Sequence, residues 1–142
     1  MLLLISDGTA LISADLHIGV ENEHASSDAI TEWAKRELTE YFEGRRKEFT
    51  VPLAPRGTDF QRRVWKALLE IPFGETKTYG EVAEMIGDKK ACRAVGGAVG
   101  KNPVLIMIPC HRVIATGRRL GGFSVGTDIK KALHKIEGIV TT

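Results

Sequence analysis

Two threonines, Thr58 and Thr78, are each followed three positions later by a side chain able to return a hydrogen bond, Gln61 and Glu81. This reciprocal pattern satisfies backbone donors that a helix start would otherwise leave orphaned, so it fixes where two helices begin. After Thr58 the apolar residues Phe60, Val64, Ala67, Leu68 and Ile71 recur at helical spacing until Pro72 and Gly74 stop them. After Thr78 a shorter face of Val82, Ala83 and Ile86 ends at Gly87. Gly87-Asp88-Lys89 reads as a tight turn into another helix from Lys90 to about Gly100, with Ala91, Val95, Ala98 and Val99 on one side. Two short helices across such a turn predict a helix-turn-helix. Many helical hairpins bind nothing, so the pattern alone leaves DNA binding open.

Upstream, Leu2 to Ser6 and Ala10 to Ala14 read as strands of a hairpin joined across Asp7-Gly8. Ser26, Ser27 and Asp28 offer N-caps for a helix carrying Ile30, Trp33, Ala34, Leu38 and Tyr41 until Gly44. Residues 45 to 57 turn basic and then irregular with Pro52, Pro55 and Gly57, as a connection would. The expected fold is α/β: a scaffold lobe over 1–54, built of a β-hairpin plus a helix, and a mainly helical C-terminal domain over 55–142 carrying the helix-turn-helix. A chain of 142 residues with 43% hydrophobic content supports one compact unit with a small lobe and no more.

Charge is unevenly spread. Residues 1–57 hold 6 Lys/Arg against 10 Asp/Glu, a balance of −4, while residues 58–142 hold 14 against 8, a balance of +6. The basic half is therefore the one suited to a polyanion, although solvated surfaces also carry such balances. No run reaches the length of a membrane span, and Met1-Leu2-Leu3-Leu4-Ile5 breaks at Ser6-Asp7-Gly8 without a basic start or a cleavage signature. The expectation is a soluble, cytoplasmic protein with no membrane partner. Two cysteines and four histidines show no metal-ligand spacing, so no metal is expected, and in a reducing cytosol free thiols are the default.

The middle of the last helix-turn-helix segment contains Gly96-Gly97, each costing about 1 kcal/mol against alanine. Either close packing within the protein or close approach to a nucleic acid would offset that cost, and the sequence leaves both open. After Asn102-Pro103, the apolar run Val104-Leu105-Ile106-Met107-Ile108 ends in Pro109-Cys110-His111-Arg112. A cysteine inside apolar sequence is commonly an inert core residue. Here Pro109 fixes the approach, and His111 and Arg112 supply a base and a cation, which makes Cys110 a candidate nucleophile.

The chain resembles the O6-alkylguanine-DNA alkyltransferases, the methylated-DNA–protein-cysteine methyltransferases. The resemblance spans about residues 53–138. It rests on Pro109-Cys110-His111-Arg112-Val113, on Arg93-Ala94-Val95-Gly96-Gly97-Ala98 with Asn102-Pro103, on Thr78-Tyr79, on Gly121-Gly122-Phe123-Ser124, and on Glu137-Gly138. It implies stoichiometric transfer of an alkyl group from guanine O6 to Cys110, chemistry for which a soft thiolate is suited. It assigns Glu137 to orient His111, and His111 to act through a water as base to the thiol. Tyr79 would donate to a ring nitrogen of the departing guanine and Ser124 to its O6, while the carbonyls of Cys110 and Val113 accept from the guanine amine.

The resemblance further implies that the damaged nucleotide is flipped out of double-stranded DNA, with Arg93 filling the gap and the Ala91–Gly100 helix, including Ala94 and Gly97, in the minor groove. Asn102 would tie the turn after this helix to the active-site segment. No cofactor is implied, the expected state is a monomer, and a eukaryotic source would place it in the nucleus. The short N-terminal lobe lacks cysteines, so the structural zinc of some relatives is not expected. Val125 departs from the family's second small glycine after the serine, which adds bulk beside the pocket in a loop where a branched residue resists positive φ. Two rivals stand beside this reading. A non-catalytic damage sensor of the same family would lack the reactive cysteine; a plain helix-turn-helix regulator would need neither Pro109-Cys110-His111 nor Glu137. Cys92, next to Arg93, reads as a tolerated small residue with some redox sensitivity.

Overall fold

The computed structural model describes residues 2–16 and 27–141, so Ser26 as an N-cap lies outside the described residues. The chain divides into two compact units, Met1–Arg56 with Pro103–Leu105, and Gly57–Asn102 with Ile106–Thr142.

In the first unit, β1 (Leu2–Ser6) pairs antiparallel with β2 (Leu11–Leu16), with Leu4 opposite Ala14 and an irregularity between Ile5 and Ser6. The second strand starts one residue later than the alternation predicts. The physical reason is the turn: Asp7 Oδ1 accepts from the Thr9 N–H at 2.8 Å, the Thr9 hydroxyl at 2.7 Å and the Ala10 N–H at 2.9 Å, which draws Ala10 into the turn. The free edge of β2 is met by two short parallel bridges, Leu11 with Leu53 and Ala14 with Val104. Helix α1 (Ala29–Phe42) begins at Asp28, whose carboxylate accepts from the Thr31 N–H in a full capping box. It packs Ile30, Ala34, Leu38 and Tyr41 into this unit's core.

The second unit carries the helices. Both predicted capping boxes form, Thr58 with Gln61 at the head of α2 (Asp59–Leu68) and Thr78 with Glu81 at the head of α3 (Tyr79–Met85). On α2 the buried residues are Val64, Trp65, Ala67 and Leu68; Phe60, expected on that face, is only partly covered. Trp65 takes the central place because its indole N–H donates to the Ala98 carbonyl at 2.8 Å, joining α2 to helix α4 (Cys92–Gly100). Gly57 is required beside it, since a Cβ there would fall 2.5 Å from the Trp65 ring.

Helix α4 runs Cys92–Gly100, two residues shorter at its start than predicted. Lys89 and Lys90 belong instead to a turn closed by the Ala91 N–H bonding to the Asp88 carbonyl at 3.0 Å. A two-residue parallel pairing missed by sequence patterning joins β3 (Lys77–Thr78) to β4 (Val113–Ile114). Such a pairing has no periodicity of its own to read. It sets the start of α3, and hence Tyr79, beside the segment that follows Cys110. Helix α5 (Thr127–Glu137) closes the unit and ends on Gly138 at φ +72°, a left-handed position that glycine takes without strain.

Candidate active site and nucleic-acid interface

Cys110 lies on a single 3-10 turn, Cys110–Arg112. The turn arises because Pro109 cannot donate to a ladder, and the Arg112 N–H folds back to the Pro109 carbonyl at 3.0 Å. Just upstream, Ile106 holds φ +73°, a left-handed conformation costing a β-branched residue about 1–3 kcal/mol, and Leu105 and Ile106 fall in different compact units. The apolar run thus holds a left-handed residue at Ile106, and all of Val104–Ile108 is buried.

Cys110 is 2% exposed. Burial pushes its thiol up; the Asn102 side chain, the Lys130 ammonium and the backbone N–H groups of Cys110 and His111 pull the other way. The thiol therefore remains protonated at neutral pH until a base removes the proton. His111 can be that base. It is fully buried, and burial holds its imidazole neutral against the opposing influence of Glu137. Its Nε2 lies 2.5 Å from Glu137 Oε2, and a carboxylate only accepts, so the ring proton sits on Nε2 and the lone pair on Nδ1. Nδ1 is buried with no hydrogen-bond partner among the described residues.

Glu137 is held on several sides. Arg112 Nε donates to its Oε1 at 2.8 Å and Arg112 Nη2 to its Oε2 at 3.3 Å, while the Gly74 N–H donates to Oε1 at 3.0 Å. Arg112 Nη1 also donates to the Ile71 carbonyl at 2.6 Å, and its guanidinium lies over the Phe73 ring at 5.9 Å. Because Arg112 already balances the carboxylate, Glu137 fixes the tautomer of His111 more than it raises its basicity. Asn102 Nδ2 donates to the Ile108 carbonyl at 2.8 Å, so the end of α4 is tied to the segment before Cys110.

The structure thus brings Cys110, His111, Glu137, Asn102 and Tyr79 into one region. Tyr79 is half-buried, and burial, with Cys110 and Cys92 close by, raises its phenol. Val113 is buried; its carbonyl accepts from Lys130 Nζ at 2.7 Å, and the Cys110 carbonyl from the Val113 N–H. Each carbonyl keeps a second lone pair for a ligand. Ser124 lies exposed on the turn Phe123–Gly126. Val125 follows it in that turn with ordinary φ, and the positive-φ burden falls on Gly121 at +72° and Gly126 at +108°. The valine therefore fits the loop path without strain, which corrects the conflict its sequence position suggested.

Arg93, Ala94 and Gly97 all lie exposed on one side of α4, opposite the buried Val95, Ala98 and Val99. A Cβ at Gly96 would make only ordinary contact with Tyr79 at 3.9 Å, and one at Gly97 would meet nothing within 4 Å. Packing inside the protein demands neither glycine.

Sequence reasoning missed Lys130 and His134. Lys130 is fully buried, with Nζ donating to the carbonyls of Val113 at 2.7 Å and Gly122 at 3.1 Å; burial lowers its pKa to about 8. His134 is 2% exposed, with Nε2 donating to the His111 carbonyl at 2.6 Å. The available signal was the spacing of 130, 134 and 137, which puts three polar side chains on the face of α5 that also carries buried Leu133. Among the described residues no three His, Cys, Asp or Glu side chains converge in a way that could hold a metal ion.

Two family models match the chain: the 6-O-methylguanine DNA methyltransferase DNA binding domain over residues 59–139, and the ribonuclease-like domain of the same family over residues 1–55. The chain belongs to the 6-O-methylguanine DNA methyltransferase family. Within it, the chain is similar to the methylated-DNA–protein-cysteine methyltransferase of Methanosarcina acetivorans, 53% identical over 119 residues, covering 84% of this chain and 73% of that protein. Among solved structures it is similar to Mycobacterium tuberculosis OGT in complex with DNA, at TM-score 0.86 and 45% identity over 96% of this chain and 85% of that one. A more distant likeness is to S. pombe Atl1 in complex with damaged DNA containing O6-carboxymethylguanine, at TM-score 0.53 and 30% identity over 60% of this chain and 81% of that one.

Proposed function

We propose that the protein repairs double-stranded DNA by transferring an alkyl group from guanine O6 to Cys110, once per molecule. The observation that carries this reading is the buried set of Cys110, His111 and Glu137, with a free lone pair on His111 Nδ1, in a member of this family.

His111 Nδ1 takes the thiol proton, directly or through one water. The Cys110 sulfur attacks the alkyl carbon in line; an S–C bond forms, the C–O6 bond breaks, and its electron pair passes to the guanine. Tyr79 donates to a ring nitrogen of the leaving base and Ser124 to O6, which stabilises the charge that develops. Water does not hydrolyse a thioether under mild conditions, so Cys110 is not regenerated. The target atom lies inside a stacked duplex, so the nucleotide is rotated out, Arg93 fills the gap, and α4 lies in the minor groove. The exposed Arg93, Ala94 and Gly97 support this orientation. The 1–54 segment is a scaffold and 55–142 the DNA-binding and acceptor domain. Among the described residues no helix is long and apolar enough to cross a membrane, and we place the protein with the genome, in the cytoplasm or, in a eukaryote, the nucleus.

Incubation with duplex DNA containing O6-methylguanine, followed by intact-protein mass spectrometry, should add one methyl group, located on the peptide holding Cys110. Cys110→Ala should take up none while still binding the duplex. A methyl group found elsewhere, or uptake by the variant, removes Cys110 from the reaction. A damage sensor without transfer would bind and take up nothing; the presence of Cys110 and its base disfavours that reading.

A further inference from the structure

Helix α5 holds the catalytic turn at three levels of one face. Lys130 Nζ bonds the Val113 carbonyl, His134 Nε2 the His111 carbonyl, and Glu137 the His111 ring. The middle contact is the least expected of the three. The turn's own backbone bonds run from the Cys110 N–H to Ile108, from the Arg112 N–H to Pro109 and from the Val113 N–H to Cys110. His134 serves the His111 carbonyl, which none of these bonds uses. A carbonyl only accepts, so His134 carries its proton on Nε2, and Nδ1 is left to accept from the Thr141 hydroxyl at 3.5 Å.

We propose that His134 is a positioning residue for alkyl transfer: its Nε2–H bond to the His111 carbonyl fixes the peptide plane, and through it the imidazole, of the residue that takes the thiol proton. A leucine would fill a similar volume beside the turn without the desolvation that a buried imidazole carries, so packing alone does not call for histidine. Without a donor at this place the buried His111 carbonyl would be unsatisfied, and the peptide would rotate to find one. That rotation moves Nδ1 relative to the thiol, and small displacements of a base are costly to proton transfer. The groups facing His134 are Lys130 and Glu137 from its own helix, His111 from the turn, and Thr141 from the C-terminal segment.

The proposal rests on the transfer reading, and its test separates the two. Single-turnover methyl transfer from O6-methylguanine duplex at saturating DNA is compared in wild type, His134→Leu and His134→Gln, with duplex affinity and Tm measured alongside. The glutamine amide nitrogen reaches the place of Nε2 and can donate to His111; leucine cannot. H134L should transfer about tenfold more slowly at unchanged DNA affinity, and H134Q should return to within about threefold of wild type. Both variants remove a second titrating imidazole, so a difference between their pH–rate profiles isolates the hydrogen bond: the acid limb of H134L should lie below that of H134Q. Should H134L fail to fold, His134→Asn replaces it, since its amide reaches only the position of Nδ1. Equal rates in wild type and H134L, a fall in Tm without a change in rate, or an H134Q as slow as H134L would each overturn the proposal. A wild type that takes up no methyl group overturns the transfer reading and this proposal with it.

Discussion

At the scale of single residues, the site is a set of buried polar groups in which each proton has an assigned place. Glu137 accepts from His111, Arg112 and Gly74, so its carboxylate has no freedom to rotate. The pH dependence follows from His111. Burial lowers its pKa from the ordinary 6.5, so the proposed base is neutral through the neutral range. Transfer should therefore stay level from about pH 8 down to the ordinary histidine value and fall only below it, as protonation consumes the Nδ1 lone pair. A single-turnover rate profile checks this, and an acid limb centred above 6.5 would assign the titration to another group. Glu137→Gln should slow transfer by about 10²-fold and, by leaving buried Arg112 without its partner charge, lower stability by about 3–5 kcal/mol in a denaturant titration. Val125 offers a second test. If its methyls face the pocket they crowd a benzyl adduct more than a methyl adduct, so Val125→Gly should raise the rate with O6-benzylguanine roughly 5- to 150-fold and leave O6-methylguanine nearly unchanged. Equal responses would place the valine away from the substrate.

At the scale of elements, α4 is the one whose composition its own packing does not explain. Gly97 has open space where a Cβ would stand, so alanine there should stabilise the isolated protein by about 0.5–1 kcal/mol, the ordinary gain within a helix. If the exposed face of α4 lies against DNA backbone, the same methyl group should weaken duplex binding. Opposite signs in a denaturant titration and in a binding titration are the expected outcome for Gly97→Ala; tighter or unchanged binding would mean that the glycine answers to something other than DNA. Helix α5 shows the complementary case. Lys130, His134 and Glu137 make its buried face polar, and each spends that polarity on the residues around Cys110.

At the scale of the molecule, both compact units contain a buried carboxylate. In the first it is Glu37, 1% exposed, which accepts from the Thr50 N–H and hydroxyl, from the Val51 N–H at 2.8 Å, and from Arg46 at 2.9 Å. Burial alone would raise this carboxyl, but the bonds from Thr50 and Val51 and the Arg46 charge outweigh it and lower the pKa below 4.5. A carboxylate lowered on folding stabilises the protein above its unfolded pKa, and that contribution is lost as pH falls through the folded one. His111 and His134 act earlier on the same descent: both are lowered by burial, so the unfolded chain takes up their protons first, and stability declines as pH falls below about 6.5. Thermal melts should thus show Tm beginning to fall near pH 6.5 and falling further below pH 4. Glu37→Gln should lose about 3 kcal/mol at pH 7 and show a shallower loss below pH 4. A variant with the wild-type acid arm would show that Glu37 is not the carboxylate responsible.

Some of this was settled by the sequence alone, because the forces involved act over a few residues. Capping boxes at Thr58 and Thr78, the stop at Gly87 and the hairpin at Asp7-Gly8 are local hydrogen-bond and φ preferences, and they formed where the residues required. Cys110, His111, Tyr79, Asn102 and Glu137 could be named because their order along the chain resembles a family, and the structure brings them to one region. Neither local preference nor order along the chain could reveal that Lys130 and His134 serve backbone carbonyls, that Arg112 shares Glu137 with His111, or that β3 pairs with β4. The bonds of Lys130 to Val113, His134 to His111 and Arg112 to Glu137 join residues 17 to 25 positions apart, and a polar side chain at such a separation reads as a solvated surface group until burial and a partner are both known. Burial and partnership belong to the tertiary structure. They decided that His111 is neutral, that its proton sits on Nε2, and that the chain at Cys110 takes a 3-10 turn held from α5.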